Sequence, residues 1–279
     1  MVALNLMVVF GPTDDSYFVT YGRRMHYKNM PDSLVKTFKE QADMNPMNVA
    51  WLRMHPNGKT WVAMNMYNLT LWYDLSIQAD LLPYIKGDQY GAKKAASLSW
   101  TDDGRGYFVK LRGGDGWTMD VPDEYPLQIA QLRRQLSDFD QGIKTILFGQ
   151  GGTHVYIFER GFVAHFEGTA EDSEHPLNKI FQEFGKPGWD LHETSCLSPY
   201  NNRHFLLKFQ QQGTTTLQMR WSLPDAASKG LKELMEIAEQ PEEKAFLARF
   251  EQNTQNAEMV KATGNFALSM HARYLFGPW

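Results

Sequence analysis

Three things are scarce in this sequence, and each scarcity excludes a class of protein. The 279 residues include a single cysteine, Cys196, so no internal disulfide can form. No run of about 18 apolar residues occurs, so we expect no membrane-spanning helix and no membrane partner. Lys and Arg number 28 against 32 Asp and Glu, a formal net charge of −4. Because general nucleic-acid binders carry a basic excess, we expect no nucleic-acid partner.

The N-terminal stretch predicts a strand and a cytoplasmic protein. Residues 1–10 are apolar, but they lack the basic start of a signal peptide and run directly into Gly11-Pro12-Thr13. The chain is 43% hydrophobic and 22% charged, which is typical of a folded protein and not of a disordered one.

A strand–turn–strand pattern recurs along the chain in steps of 44, 46, 48 and 50 residues. Each repeat centres on a strand that begins with a bulky apolar residue. These residues are Tyr17, Trp61, Tyr107, Val155 and Phe205. A turn sequence, in most units rich in Asp, Asn or Gly, precedes each of them, and such residues adopt the positive φ angles that β-hairpins require.

A third strand and a helical segment follow in each repeat. Each third strand carries one aromatic residue: Tyr27, Trp72, Trp117, Phe166 and Trp221. Helical spacing of apolar residues is clearest at two places, namely Leu177, Ile180, Phe181 and Phe184, and Leu231, Leu234, Met235 and Ala238. Residues 81–85 give scarcely more than one helical turn.

These patterns predict one domain that is mainly β with short helices, built from five repeated βββα-like units. The approximate units are 6–45, 46–92, 93–140, 141–187 and 188–240, and 241–279 is predicted to add a helix and a closing strand. Units of this size cannot bury both faces alone, so we expect them to pack on their neighbours and close into a propeller-like ring.

The ring would be a five-bladed β-propeller or an α/β-propeller, and a two-layer α+β stack is the less favoured alternative. The five-unit layout is similar in outline to propeller-type lectins and to α/β-propellers. This likeness concerns organisation alone.

The third-strand aromatics and two histidines are the candidate ligand-binding residues. Aromatic faces stack on sugar rings or anchor a partner protein, so Tyr27, Trp72, Trp117 and Trp221 are predicted ligand contacts. The competing interpretation is packing between sheets. His26 and His165 occupy matching positions before an aromatic residue and would contact a ligand if they lined a central channel. Solvent-facing or hydrogen-bonded histidines are the alternative, and no metal site is predicted.

Two other groups have catalytic residue types, each with a simpler explanation. The pairs Asp14-Asp15 and Asp102-Asp103 would lie at one end of a ring and bind a cation or act as acid and base. Asp also favours turns by bonding its own backbone. Cys196 lies near His192 and Glu193, the parts of a nucleophilic site, but a lone cysteine on a strand is more typically a small buried apolar residue.

The repeated aromatics and the weakness of every catalytic set favour a non-catalytic recognition module. It would bind a partner protein or a small ligand, carbohydrate included, through the repeat ring. The alternative is an enzyme with a single active site at the centre or mouth of the ring. A third possibility is a domain of a larger protein, since Phe276-Gly277-Pro278 echoes Phe10-Gly11-Pro12. The sequence specifies no cofactor.

Overall fold

The computed structural model describes residues 6–87, 94–114, 116–122, 124–168, 172–214 and 217–244. Within them the protein is mainly β with short helices, as predicted, and its strands form five small antiparallel sheets of three or four strands. In this part of the chain, no strand is hydrogen-bonded to a strand of another sheet. The sheets therefore associate through side chains and turns and not through shared ladders.

Each of the first four sheets contains three consecutive strands, with the second strand in the middle. Sheet 1 contains β1 (Met7–Phe10), β2 (Tyr17–Tyr21) and β3 (Arg24–Lys28). Sheet 2 contains β4 (Val49–Met54), β5 (Trp61–Asn65) and β6 (Leu71–Tyr73). Sheet 3 contains β7 (Ala95–Trp100), β8 (Tyr107–Leu111) and β9 (Trp117–Asp120). Sheet 4 contains β10 (Ile143–Phe148), β11 (His154–Phe158) and β12 (Phe162–His165).

The predicted hairpin turns join the strands at the expected places. Gly58 and Gly104 lie in the turns of sheets 2 and 3 with φ of 69° and 71°, a region that glycine adopts without strain. Every residue of β11 is buried, and this strand lies between β10 and β12. Local turn chemistry and burial therefore account for the hairpins.

Sheet 5 differs from the predicted three strands. It contains β13 (Trp189–Leu191), β14 (Cys196–Leu197), β15 (Phe205–Gln211) and β16 (Leu217–Ser222). Both β13 and β14 pair with β15. Between them the Ser195 hydroxyl accepts a hydrogen bond from the Lys208 backbone N–H at 3.0 Å. A side chain thus takes the place of a backbone acceptor, and the strand is interrupted there.

The helices of the described residues include α1 (Asp32–Glu40), α2 (Leu82–Lys86), α3 (Glu124–Gln135), α4 (Phe139–Gly142), α5 (Pro176–Phe184) and α6 (Asp225–Ala238). Pro31 and Pro224 occupy the N-cap positions of α1 and α6. The predicted apolar stripe of α5 is confirmed, since Leu177, Phe181 and Phe184 are all buried. None of the described helices is long and apolar enough to cross a membrane.

The first strands of consecutive sheets lie side by side. Strand β1 contacts β4, β4 contacts β7, β7 contacts β10, and β10 contacts β14. At the other end of the chain, α6 packs on β2 and β3 of sheet 1. Its Leu231 and Leu234 share one core with Phe18 and Val19. Helix α6 is therefore seated on the first sheet.

The C-terminal prediction is covered only in part. Residues 241–244 are helical, and the carboxylate of Glu243 accepts hydrogen bonds from Arg23 Nε at 2.9 Å and Nη2 at 2.7 Å. The closing strand predicted within 265–279 lies outside the described residues.

Candidate functional site

A cavity of about 60 Å³ lies where strands from all five sheets meet. We call it the shared cavity. Each of strands β1, β4, β7, β10 and β14 is the first strand of a hairpin. In each of them, the residue one position before the cross-strand pair nearest the turn lines the cavity. These residues are Val9, Arg53, Ser99, Leu147 and Cys196, and we call them the shared layer. All five residues therefore hold the same register position in their hairpins.

Arg53 brings a positive charge to the shared layer. Its Nη2 donates to the backbone oxygen of Glu193 at 2.5 Å, and its Nη1 donates to that of Leu52 at 3.4 Å. The first of these bonds joins sheet 2 to the segment between β13 and β14 of sheet 5. Arg53 is partly buried, and this burial lowers the pKa of its guanidinium.

The cysteine of the shared layer is protonated at neutral pH. Burial raises the pKa of Cys196 to about 11, and its thiol donates to the Val8 oxygen at 3.2 Å. The neighbouring His192 bonds Thr194 Oγ1 through Nδ1 at 2.8 Å. Burial and then the charge of Lys208 lower the pKa of His192 to about 3. A protonated thiol and a very weak base do not make a nucleophilic pair, so the small-apolar interpretation of Cys196 is favoured.

A second cation is buried beside the shared layer. Lys208 is fully buried, and its Nζ donates to Thr194 Oγ1 at 2.8 Å and to the Leu6 oxygen at 2.5 Å. Burial lowers the pKa of Lys208 to about 7. Together with the Cys196 bond to Val8, this contact ties sheet 5 to the start of sheet 1.

The hairpin turns at one end of the shared cavity contact one another in sequence order. The contacts are His55 Nε2 with Gly104 O at 2.9 Å, Gly151 N with Asp102 Oδ2 at 2.6 Å, Asn202 N with Gln150 Oε1 at 3.1 Å, and His204 Nδ1 with Asp14 Oδ1 at 4.0 Å. A further bond crosses between non-consecutive sheets, where Tyr200 OH donates to Pro56 O at 2.7 Å. Pro56 itself lines the shared cavity.

These contacts give the turn carboxylates structural partners. Asp102 accepts from Gly151, and Asp103 Oδ1 accepts from the Arg105 N–H at 2.9 Å. Asp15 lies 2.9 Å from Lys28 Nζ. The turn-forming interpretation of these residues is therefore favoured over a cation site. In the described part of the chain, no group of three or more His, Cys, Asp or Glu residues is arranged to hold a metal.

The predicted aromatic contacts lie on the outer strands, each in its own sheet, and none of them lines the shared cavity. Lys39 Nζ lies 5.2 Å from the centre of the Tyr27 ring. The Trp117 Nε1 donates to Asp140 at 2.9 Å, and Arg133 covers its ring at 5.0 Å. These contacts favour packing.

The other two predicted tryptophans differ in exposure. Trp72 packs against the core of sheet 1, and its Nε1 is buried with no partner among the described residues. Trp221 on β16 is 43% exposed and is the most accessible of the predicted aromatics. The structure does not bring the set together, and its binding role stays a prediction.

The two predicted histidines also lie in separate sheets. The ring of His26 stacks on Tyr17, and its Nε2 lies 3.5 Å from Glu233 of α6. His165 is paired across strands with His154, and its Nε2 lies 3.0 Å from Glu167 Oε1. Neither histidine lines the shared cavity.

Sequence reasoning missed Arg53 and Ser99, although one signal was present. Arg53 is the single charge in the otherwise apolar run Val49–Met54, directly before a hairpin turn.

Comparisons with protein-family models, with curated proteins and with solved structures give no match for this chain.

Proposed function

We propose that the five sheets are the blades of a closed, five-bladed propeller-like ring, and that the ring is a recognition module for a small ligand. The closure is supported by the chain of first-strand contacts from β1 to β14. Two contacts support closure between sheet 5 and sheet 1. The Cys196 thiol donates to the Val8 oxygen, and α6 packs on β2 and β3. Closing the ring protects strand edges that would otherwise be exposed.

The observation that carries the ligand site is the shared layer. One cavity receives the same register position from all five sheets, and ligand sites are typically concave places with an apolar lining and a few polar groups. A cavity of about 60 Å³ accommodates a few water molecules or one small solute. The ligand is therefore a small molecule or ion and not a protein segment.

The chemistry of the cavity favours binding over the alternative of an enzyme. Among the described residues that line the cavity, none carries a carboxylate or an imidazole. Acid–base chemistry would need such groups. Cys196 is held in the thiol form by its raised pKa, so it is a poor nucleophile.

Recognition of carbohydrate or of a partner protein by the outer aromatics is a separate proposal, favoured by the exposure of Trp221 alone. Glycan-array and pull-down signals that are lost in Trp221→Ala would support it. Blank results with the wild-type protein would reject it.

Filling the cavity tests the ligand site. Leu147 is 3% exposed and lines the cavity, so Leu147→Phe would occupy the space. Leu127 on α3 is 73% exposed, and Leu127→Phe is the matched control. We expect small-molecule hits from a ligand-observed NMR screen to disappear in the first variant and persist in the second. Hits that survive Leu147→Phe in a folded protein would place the site elsewhere.

Circular dichroism and the thermal midpoint establish that Leu147→Phe is folded. Val9→Ile adds one methylene to the same layer and is the milder variant. If both folded variants bind every hit as the wild type does, the shared cavity is not the ligand site.

A further inference from the structure

Arg53 forms no salt bridge with a carboxylate of the described residues. It is the one charged side chain on the described lining of the shared cavity. Its hydrogen bonds to described residues go to neutral acceptors, the backbone oxygens of Leu52 and Glu193. The Glu193 carboxylate is near enough to raise the pKa of Arg53, but among the described residues no carboxylate forms a salt bridge with it. Arg53 is partly buried, and a partly desolvated guanidinium without a counter-ion is a group to which an anion can bind.

A second polar group of the shared layer has no hydrogen-bond partner in the part of the chain that the structure describes. Ser99 is 5% exposed, and its hydroxyl forms no hydrogen bond with any described residue. It occupies the same register position as Arg53, on the neighbouring strand β7. A buried hydroxyl without a partner is destabilising, so such atoms are usually satisfied by a ligand or a water molecule.

The neighbouring Lys208 adds positive potential, whereas the Glu193 carboxylate acts on Arg53 in the opposite direction. The charges of Lys208 and Arg53 repel each other, which contributes to the lowered pKa of Lys208. The thiol of Cys196 is already used as a donor to Val8. A bound anion would reduce the repulsion between Arg53 and Lys208. It would also accept a hydrogen bond from the Ser99 hydroxyl.

We infer that the shared cavity binds a small monovalent anion between the guanidinium of Arg53 and the hydroxyl of Ser99. This inference rests on the proposed role of the cavity as a ligand site. The cavity volume of about 60 Å³ limits the ion to a few heavy atoms, the size of chloride, nitrate or formate. The binding chemistry is common to inorganic ions and to the carboxylate of a small acid.

Anion-dependent stability tests the inference in solution. The thermal midpoint is measured while sodium chloride, nitrate or formate replaces sodium gluconate at constant ionic strength. Because a ligand that binds only the folded state stabilises it, small anions should raise the midpoint in a saturable way. Gluconate is too large for the cavity and supplies the baseline. Formate acting alone would identify a carboxylate ligand, and chloride or nitrate acting alone would identify an inorganic one.

Two variants and one control connect the effect to the site. Arg53→Met should abolish the saturable rise. Ser99→Ala should weaken apparent affinity about ten-fold, the cost of one hydrogen bond to a charged group. Arg105 lies in a turn with its side chain 88% exposed, so Arg105→Met is the matched control and should behave as the wild type. Ser99→Ala removes a single atom, so it keeps the test usable if Arg53→Met does not fold.

The outcomes separate this inference from the proposed function. The anion site would be overturned if small anions do not raise the thermal midpoint above the gluconate baseline. It would also be overturned if the rise is the same in Ser99→Ala as in the wild type. If neutral compounds bind and are displaced by Leu147→Phe while anions have no effect, the cavity is a ligand site of a different chemistry. If nothing is displaced by Leu147→Phe, the proposed function itself is wrong.

Discussion

Gly230 of α6 lies so close to the imidazole of His26 that a β-carbon at position 230 would sit 2.6 Å from Nδ1. The His26 ring is itself stacked on Tyr17, with ring centres 5.8 Å apart, and Tyr17 OH lies 3.1 Å from Nδ1. Glycine inside a helix costs about 0.5–1 kcal/mol relative to alanine. Its presence in α6 is explained by the close contact between this helix and the first sheet.

The first prediction concerns this contact. Gly230→Ala should lower the free energy of unfolding by about 1–3 kcal/mol, because the added methyl group displaces the His26 ring. The double variant with His26→Ala should regain much of that loss. Urea denaturation of the single and double variants measures the coupling. A Gly230→Ala variant that is more stable than the wild type would show that the gain in helix propensity outweighs any clash. The close contact between Gly230 and His26 would then be contradicted.

The second prediction concerns the ion pair at the end of the described chain. The Glu243 side chain is 4% exposed, and hydrogen bonds from Arg23 hold the pKa of its carboxyl below the ordinary value of 4.5. The pair therefore stabilises the protein above pH 4.5, and this contribution is lost as the pH falls through the lowered pKa.

Glu243→Gln should destabilise the protein by about 1–3 kcal/mol at pH 7, the cost of leaving Arg23 without its charged partner. Glu239→Gln is the control, since its side chain is 74% exposed. The difference between the two variants should shrink when unfolding is measured near pH 3. A difference that is the same at both pH values would argue against an ionic contribution.

The third prediction concerns acid stability. His154 is fully buried, its Nδ1 donates to the Gly152 oxygen at 2.6 Å, and its Nε2 has no partner among the described residues. Burial lowers its pKa from 6.5 to about 4. The folded state keeps this imidazole neutral, so the contribution is complete above pH 6.5 and is lost as the pH falls toward 4.

The loss from His154 should be on the order of 3 kcal/mol across that range. His154→Phe should flatten the dependence of unfolding free energy on pH between 6.5 and 4. The dependence should not vanish, because His192 also has a lowered pKa. A slope identical to that of the wild type would show that His154 is already charged or exposed in the folded state.

The fourth prediction concerns the bond that crosses the turn end. Tyr200→Phe removes the hydroxyl that donates to Pro56 O at 2.7 Å and should cost about 1 kcal/mol. Tyr67 is 47% exposed, so Tyr67→Phe serves as the control and should be neutral. Thermal midpoints of the two variants are compared. Equal midpoints would mean that the turns of sheets 5 and 2 are not joined in solution.

Local chemistry explains why much of the fold was predictable. Asn57-Gly58 and Asp103-Gly104 determine their turns from their own backbone preferences, so the hairpins could be located without knowledge of the tertiary structure. The buried stripe of α5 follows from the spacing of Leu177 and Phe181 within one helix.

The candidate site depends on tertiary register and was therefore hidden. Arg53 and Ser99 are equivalent only through their pairing with Val62 and Phe108 on the second strands. The prediction of third-strand aromatics came from a repeated residue type, but those strands lie on the outer side of each sheet. The split of β13 from β14 depends on the Ser195 hydroxyl bond to Lys208, which no local pattern announces.

The decisive measurement is a high-resolution electron-density map of the shared cavity, from crystals grown in the presence of bromide. We expect strands β1, β4, β7, β10 and β14 around one cavity. We also expect an anomalous peak in contact with the Arg53 guanidinium and the Ser99 hydroxyl. A centre filled by side chains, or first strands that do not meet around a common space, would contradict both the ring and its ligand site.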